Sequence, residues 1–292
     1  RDINETVEIQ NNNKIELGKI IWNNFENLLN ICSNIDVVIH AAGLNSKSCQ
    51  SDPISALEIN GVNTAKLIDA AINNNVKKFI FLSTIHVYKD QLDCVLDEDY
   101  FPINFHPYAT SKRAGENVVI DSYLNNKIDG YVFRISNTFG IPSFNELAGQ
   151  KLVINELCRN SIFNNQLQLN SSGVQIRNFI PVTEFLNIVD FLLKKNNTNL
   201  IRHWNDNIIN IGSNNFYSII EISKLIQERT NIIFGRKPEI LIKEVSNSIL
   251  SNNKFHFKIK YLLSLGYRFK YDFISELDNL LLYHNSCIKN EN

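Results

Sequence analysis

The sequence predicts an α/β fold built on a doubly wound parallel sheet. Apolar strand segments at 36–40, 78–83, 131–136 and 208–211 alternate with longer helical segments. This alternation favours parallel strands joined by right-handed helical crossovers. Asparagine clusters lie between the apolar segments and mark turns, because asparagine tolerates the left-handed backbone conformation.

The helical segments follow these strands in order along the chain. Their apolar residues recur at helical spacing and predict helices over 53–74, 107–125, 146–163, 184–195 and 217–230. A chain of 292 residues is long enough for one large domain or two smaller ones. We expect a larger domain over 1–140, to which 178–215 returns, and a smaller mixed α/β lobe over most of 141–292.

Composition indicates a globular protein without a nucleic-acid or membrane partner. Hydrophobic residues make up 44% of the chain and charged residues 20%, which is ordinary for globular proteins. The net charge of −1 shows no basic footprint for nucleic acid. No apolar stretch approaches the roughly 18 residues that a membrane span needs.

The cysteines and histidines predict neither disulfides nor a metal site. The cysteines are odd in number and lack a Cys-x-x-Cys pair, which is typical of reduced thiols in the cytoplasm. They are Cys32, Cys49, Cys94, Cys158 and Cys287. The six histidines show no spacing typical of metal ligands.

Tyr108 and Lys112 are the strongest candidates for catalysis. They are four residues apart, so a helix places them on one face. Pro107 suits the first helical position, which puts Tyr108 in the opening turn. We expect the helix dipole and the Lys112 ammonium to lower the Tyr108 pKa below its usual value of about 10. Such a phenol exchanges a proton with an alcohol or carbonyl at neutral pH.

Thr84 is expected to join this pair. It ends an apolar run that predicts a buried strand, so its hydroxyl emerges where the strand ends. In open α/β sheets, ligands bind outside the carboxyl ends of the strands. The three residues together predict chemistry at a carbon that carries oxygen. For a Tyr-x-x-x-Lys pair alone, the alternative is a half-buried tyrosine beside a solvated lysine, because such pairs occur on ordinary helices.

The order of these and other segments resembles the extended short-chain dehydrogenase/reductase family, which contains nucleotide-sugar epimerases, dehydratases and reductases. The segments that carry the resemblance are Asp36–Gly43, Asn60–Ala71, Ser83–Tyr88, Tyr108–Lys112, Arg134–Gly140, Gln175–Val182, Asn210–Ser213 and Leu265–Tyr267. They cover nearly the whole chain from about residue 14 onward. The resemblance implies a Rossmann-like fold, with the first domain for a dinucleotide and the second lobe for substrate.

The resemblance also implies roles for individual residues. The catalytic groups are Thr84, Tyr108 and Lys112. The residues that contact NAD, or NADP in its place, are Ala41, Ala42, Gly43, Asn60, Ser83, Tyr108, Lys112 and Ile135. The substrate contacts are Thr84, His86, Asn137 and Arg177. A guanidinium at Arg177 suits a diphosphate, although a surface salt bridge is an equal alternative, and His40 is expected to pack at a strand end beneath the cofactor loop.

The implied activity is a nucleotide-sugar epimerase that oxidises a sugar hydroxyl and reduces the ketone again. A ketosugar reductase is the second expectation, and a non-catalytic nucleotide-sugar binder is a third. Dehydratases of the family usually carry an acidic pair where this chain has Ile85 and His86, which argues against dehydration. A helix pair of the family often builds a dimer, so a homodimer is also expected.

The start of the chain departs from the family pattern. A glycine-rich turn should follow the first strand, but the first glycine is Gly18, and the chain begins with Arg1 and has no methionine. We expect that roughly 30 residues, one βαβ unit, precede this sequence, with Lys14–Ile20 as the third strand. Loss of the cofactor site in a degenerate member is the alternative. Lys19 replaces an aspartate that the family uses near adenine, and the chain as given is expected to bind the dinucleotide poorly and to be inactive alone.

Overall fold

The computed structural model describes residues 16–88, 95–142, 152–194, 205–243 and 256–291. Its strands, in chain order, are β1 (Val37–His40), β2 (Lys78–Thr84), β3 (Val95–Leu96), β4 (Asp129–Ile135), β5 (Asn137–Phe139), β6 (Gln166–Leu169), β7 (Ile176–Pro181), β8 (Ile208–Ile211), β9 (Phe216–Ser218), β10 (Glu239–Ile242) and β11 (His256–Phe257). Its helices are α1 (Phe25–Cys32), α2 (Ser46–Ser51), α3 (Pro53–Leu57), α4 (Asn63–Asn73), α5 (Pro107–Leu124), α6 (Val153–Phe163), α7 (Val182–Leu193), α8 (Ile219–Phe234), α9 (Lys260–Ser264) and α10 (Phe273–Glu291).

The main sheet has the strand order β1-β2-β4-β8. Strands β1 and β2 are parallel, with Val37 opposite Lys78 and His40 opposite Phe81. These are the four strands that the apolar runs predict, and their bounds differ from the prediction by two residues at most. The prediction of an α/β fold with a parallel sheet is confirmed.

The predicted helix over 53–74 is present but divided. Residues Glu58–Val62 form a π-helical turn between α3 and α4. Such turns occur frequently at functional sites, and this one contains the buried Asn60. The helix predicted over 146–163 is found from Val153, and its predicted start lies partly outside the described residues.

The third strand predicted at Lys14–Ile20 is wrong in its described part. Residues 16–20 are exposed and have no strand pairing. A strand needs a hydrogen-bonded neighbour, and in the part of the chain that the structure describes, β1 is the edge of the sheet. The segment leads instead to α1, whose N-cap Asn24 accepts a hydrogen bond from the backbone N–H of Asn27 at 3.1 Å.

The described residues divide into two compact units. The first consists of the described residues within Arg1–Val87, Asn104–Phe133 and Asn199–Ile208, and the second of those within Tyr88–Ile103, Arg134–Thr198 and Ile209–Asn292. The first unit has its own apolar core, in which the faces of α1, α4 and α5 cover β2. This core includes Leu28, Leu67, Ile68, Phe79, Phe81, Val119 and Val132.

The second unit has a separate core formed by α6, α8 and α10 together with β5, β6 and β7. Strand β7 is parallel to β5 and antiparallel to β9. Helix α8 begins with a capping box between Ser218 and Glu221 and ends at Gly235, whose φ of 68° suits glycine. In the described ranges, no helix combines the length and the apolar character that crossing a bilayer requires.

Candidate functional site

Thr84 and Tyr108 are in contact at the end of β2. Helix α5 starts at Pro107, and the Nδ1 atom of the N-cap His106 accepts a hydrogen bond from the backbone N–H of Tyr108 at 3.2 Å. This start places the Tyr108 phenol near the Thr84 hydroxyl, which acts to lower the pKa of the phenol. Thr84 is the last residue of β2 and is almost fully buried. The strand end and the helix start therefore bring together the two hydroxyls predicted to share a substrate oxygen.

The predicted lowering of the Tyr108 pKa is wrong. Burial raises the pKa of Tyr108, and the hydrogen bond with Thr84 offsets this only in part. Lys112 is not among the groups that shift this pKa, and its Nζ atom donates to the Leu82 carbonyl at 3.0 Å. In this structure, the phenol is held in its protonated form at neutral pH.

Lys112 is buried one helical turn after Tyr108. Its side chain lies with Nζ 4.9 Å from the centroid of the Phe81 ring. Burial lowers the pKa of Lys112 to about 8, although Cys49 and Glu116 act in the opposite direction. The ammonium therefore titrates close to neutral pH instead of remaining fixed in its charged form.

Asn60 and Gly43 form a tight cradle beside Lys112. The Oδ1 atom of Asn60 accepts from the backbone N–H of Leu44 at 3.0 Å, and its Nδ2 donates to Ser111 Oγ at 2.9 Å. A Cβ atom at Gly43 would lie 2.7 Å from Asn60 Oδ1 and 3.0 Å from Lys112 Nζ. Real Cβ atoms are not found this close, so any larger residue here requires the loop or a neighbouring side chain to shift.

A buried carboxylate, Glu116, lies behind this cradle, and sequence reasoning missed it. Ser83 Oγ donates to Glu116 Oε1 at 2.5 Å, and Arg113 Nη1 donates to Oε2 at 2.9 Å. Glu116 is fully buried. Its position four residues after Lys112, on the face shared with Tyr108, was a signal that helical spacing offered.

Two histidines lie near the site in different surroundings. His40 ends β1, is buried, and has its Nε2 atom 3.0 Å from Thr64 Oγ1. Burial lowers its pKa to about 4, so the expectation of a packed strand-end histidine is confirmed. His86 lies in the 3₁₀ turn Ile85–Val87, and its ring centroid is 6.4 Å from that of Tyr108.

The other predicted site residues have different surroundings. Ala41 and Ala42 are exposed, as is Gly43, in the loop after β1. Ile135, Asn137 and Arg177 belong to the second unit and are each partly buried. There Asn137 Nδ2 donates to the Asn178 carbonyl at 3.0 Å, and Arg177 Nη2 donates to Gln175 Oε1 at 2.9 Å. The roles assigned to these residues stay predictions.

In the described residues, the cysteines are free thiols and no metal site is formed. The four cysteines that the structure describes, Cys32, Cys49, Cys158 and Cys287, are free thiols, and Cys94 lies outside the described residues. Among the residues described, no group of three or more histidines, cysteines or carboxylates is arranged to hold a metal ion.

The parallel sheet flanked by helices defines a Rossmann-like α/β protein, with Thr84, Tyr108 and Lys112 gathered at the end of β2. The chain belongs to the NAD dependent epimerase/dehydratase family, whose sequence profile matches residues 4–212. The resemblance to the extended short-chain dehydrogenases/reductases is thereby confirmed, and the chain is an enzyme of this NAD-using family.

Individual relatives carry out several different reactions. Human dTDP-D-glucose 4,6-dehydratase is 29% identical over 268 residues, which cover 90% of this chain and 73% of that protein. UDP-glucuronic acid decarboxylase 3 of Arabidopsis thaliana is 25% identical over 202 residues, covering 68% of this chain and 54% of that protein. The family is therefore established, whereas the reaction is not.

Solved structures agree in fold. The UDP-glucuronic acid 4-epimerase from Bacillus cereus, in complex with UDP-glucuronic acid and NAD, matches with a TM-score of 0.80 at 20% identity. The match covers 97% of this chain and 85% of that one. RMD from Pseudomonas aeruginosa, complexed with NADPH, gives a TM-score of 0.77 at 21% identity, covering 92% of this chain and 88% of that one. At these identities the likeness supports the Rossmann-like fold.

Proposed function

We propose that this protein is an NAD(P)-dependent nucleotide-sugar epimerase. The observation that carries the proposal is the contact between the Thr84 and Tyr108 hydroxyls at the end of β2, with Lys112 buried one helical turn further on. Relatives that act on nucleotide sugars support a nucleoside-diphosphate sugar as the substrate. In this proposal the first unit takes the dinucleotide, and the second unit takes the nucleotide sugar through Asn137 and Arg177.

The described residues fit the nicotinamide end of a dinucleotide. Gly43 leaves open a space that a Cβ atom would fill, and Lys112 Nζ and Asn60 Oδ1 border that space. A bound NAD(P) would supply hydride acceptance and return. Lys112 would hold the nicotinamide ribose by donating hydrogen bonds, while Ala41, Ala42 and Gly43 would let the dinucleotide approach the backbone closely.

The protein's own groups supply position and proton transfer. Thr84 donates a hydrogen bond to the sugar oxygen that reacts, which orients that oxygen toward the phenol. As the phenolate, Tyr108 would take the hydroxyl proton when the sugar is oxidised, and the phenol so formed would return that proton to the ketone oxygen when the sugar is reduced. Because the raised pKa keeps the Tyr108 phenol protonated, donating a proton is easier for it than accepting one. A charged Lys112 closer to Tyr108 would lower that pKa and would favour accepting the proton.

A ketosugar reductase is the second candidate, and the raised pKa of Tyr108 favours it. A reductase needs a phenol that is protonated before the ketone arrives, and burial maintains that form here. Dehydration is a further outcome to be tested, because a relative is a 4,6-dehydratase. In this chain the turn consists of Ile85, His86 and Val87, so His86 is its one ionisable side chain.

Incubation of the full-length protein with a panel of UDP- and dTDP-sugars separates these reactions. The epimerase proposal predicts an isomeric product with no net change in the absorbance of reduced nicotinamide. Net consumption of reduced nicotinamide would establish the reductase. A 4-keto-6-deoxy product would establish dehydration, and binding without turnover of any sugar would establish a non-catalytic binder.

Replacement of Tyr108 by phenylalanine tests the central step. Turnover is expected to fall by about 10²- to 10⁴-fold, the typical contribution of a positioned acid or base, while the fold is retained. Steady-state kinetics with the active sugar measures this loss. Tyr131→Phe is the matched control, since Tyr131 is a partly buried tyrosine of the same unit that hydrogen-bonds Asp129 at 3.1 Å, and its turnover should match wild type. Equal turnover in Tyr108→Phe and wild type would remove Tyr108 from the mechanism.

A further inference from the structure

We infer that Glu116 is a positioning residue, which keeps Lys112 in its charged form and holds the strand end that carries Thr84. Its effect on turnover depends on the function proposed above. Its effect on Lys112 does not, because that effect exists in the protein without substrate.

The geometry of Glu116 indicates an ionised carboxylate with both oxygens engaged. Oε1 accepts from Ser83 at 2.5 Å and Oε2 accepts from Arg113 at 2.9 Å. The Glu116 side chain has no exposed surface, and Arg113 retains 19% of its own. A buried carboxylate stays ionised only when it is paired and hydrogen-bonded. The cation and the hydroxyl meet both requirements.

Helical spacing places the Glu116 charge on the face of α5 that carries the candidate catalytic residues. Tyr108, Lys112 and Glu116 follow one another at intervals of four residues in α5, so they share one face of the helix. Lys112 Nζ has the neutral Leu82 carbonyl as its hydrogen-bond partner. Burial therefore disfavours the ammonium and lowers the pKa of Lys112, while Cys49 and, to a smaller extent, Glu116 raise it.

The other ionisable groups around Lys112 do not replace Glu116. His40 faces it from β1, and burial holds the pKa of His40 at about 4, so the imidazole is neutral near pH 7. Cys49 faces it from α2, and Tyr108 from the preceding turn of α5, where burial keeps the phenol protonated. Glu116 is the carboxylate of this set, and both of its oxygens are hydrogen-bonded.

The second part of the role is mechanical. Ser83 immediately precedes Thr84, and its hydrogen bond to Glu116 joins β2 to α5. Helix α5 also carries Tyr108, which contacts Thr84. The Ser83–Glu116 hydrogen bond therefore helps to fix the distance between the Thr84 and Tyr108 hydroxyls, which must share one substrate oxygen. Small errors in such distances reduce turnover strongly.

The test is an NMR titration of the full-length protein labelled with ¹³C at the lysine ε-carbons, in the absence of cofactor and substrate. Lys112→Arg identifies the Lys112 signal. Glu116→Gln should move the Lys112 titration to lower pH than in wild type. Asp121→Asn removes one negative charge from an exposed position of the same helix, and it should leave the titration in place. A Lys112 titration in Glu116→Gln that coincides with wild type overturns the inference.

Thermal unfolding shows whether Glu116→Gln is folded. If it is not, the double variant Ser83→Ala with Glu116→Met replaces the hydrogen-bonded pair by apolar groups, a change that proteins tolerate better than an unpaired buried group. The same downward shift is expected, and its absence counts against the inference in the same way. With the active sugar, Ser83→Ala should lower kcat, whereas unchanged kcat would contradict the mechanical part.

Discussion

A buried cation lies in each unit, Lys112 in the first and Arg134 in the second, and their surroundings differ. Lys112 Nζ contacts a backbone carbonyl and borders the exposed Gly43. Arg134 has no exposed surface, its Cζ lies 4.8 Å from the centroid of the Tyr88 ring, and its Nη1 donates to the Tyr88 hydroxyl at 2.9 Å. One cation borders an exposed loop, and the other is enclosed by protein.

The hydrogen-bond network around Arg134 extends through the second unit. The Tyr88 hydroxyl donates to Asn210 Oδ1 at 2.8 Å, and Asn210 Nδ2 donates to the Lys258 carbonyl at 2.9 Å. Glu98 Oε1 accepts from the backbone N–H groups of Asn210 and Tyr261, both at 3.3 Å. These groups are satisfied by the protein itself, as expected of a structural network.

The choice of lysine or arginine suits the surroundings of each buried cation. A guanidinium stays charged in any protein environment, so arginine suits a buried structural position that needs a permanent charge. An ammonium shifts its pKa when buried, so lysine suits a group whose charge responds to its neighbours. Lys112, with a pKa of about 8, is responsive in this sense.

Arg134→Ala should cause the largest loss of stability. The substitution leaves a cavity and removes both the stacking on Tyr88 and the donor to its hydroxyl, so the free energy of unfolding should fall by about 2–4 kcal/mol. Urea unfolding followed by circular dichroism measures this. Arg268→Ala, at an exposed arginine of the same unit, should stay within about 0.5 kcal/mol of wild type. Equal stability of the two variants would show that the Arg134 network is dispensable.

Each unit also contains a buried histidine, and these histidines make stability depend on pH. Burial lowers the pKa of His40 in the first unit and of His284 in the second to about 4, from an ordinary value of 6.5. The unfolded chain therefore binds more protons than the folded protein between pH 4 and 6.5. The contribution of each histidine to stability should fall as the pH drops below 6.5 and level off below about 4, by about 3 kcal/mol for each.

Single substitutions separate the two contributions. His40→Leu and His284→Leu should each flatten part of the pH dependence measured by urea unfolding between about pH 4 and 7. His256→Gln, at an exposed histidine, should leave the curve unchanged. If His40→Leu retains the full wild-type slope, burial of His40 does not govern acid stability.

The elements that the sequence predicts well are those with a strong local signal. The apolar runs of β1, β2, β4 and β8 identify the sheet, and Pro107 marks the start of α5. From these two features alone, the meeting of Thr84 and Tyr108 follows. Helix α10 had a usable signal as well, because Phe273, Leu277, Leu280 and Leu281 are buried at helical spacing, but no helix was predicted there.

The features that escaped prediction depend on residues distant in the sequence. The π-helical turn contains Asn60, whose side chain bonds Leu44 and Ser111. Strand β6 pairs with β10, placing Gln166 opposite Glu239, and each strand is too short for a periodic pattern. The direction of the Tyr108 pKa shift depends on burial, which the tertiary structure determines.

Gly43→Ala tests whether the exposed loop beside Lys112 differs in function from the enclosed surroundings of Arg134. Among these variants it should have the smallest effect on stability. The new methyl group would lie 3.0 Å from Lys112 Nζ and 2.7 Å from Asn60 Oδ1. Because the loop of Gly43 is exposed, it should shift and absorb the strain, so little stability is lost. The shift would narrow the space proposed for the nicotinamide ribose, and we expect NAD affinity to fall by about tenfold, or 1.4 kcal/mol.

Isothermal titration of the full-length protein with NAD measures this change. Gly18→Ala is the matched control, because a Cβ atom there meets nothing within 4 Å, and its affinity should equal that of wild type. If Gly43→Ala binds NAD as tightly as Gly18→Ala, the space beside Lys112 does not receive the dinucleotide. The open surroundings of Lys112 would then require a different ligand, while the closed network around Arg134 would keep its structural interpretation.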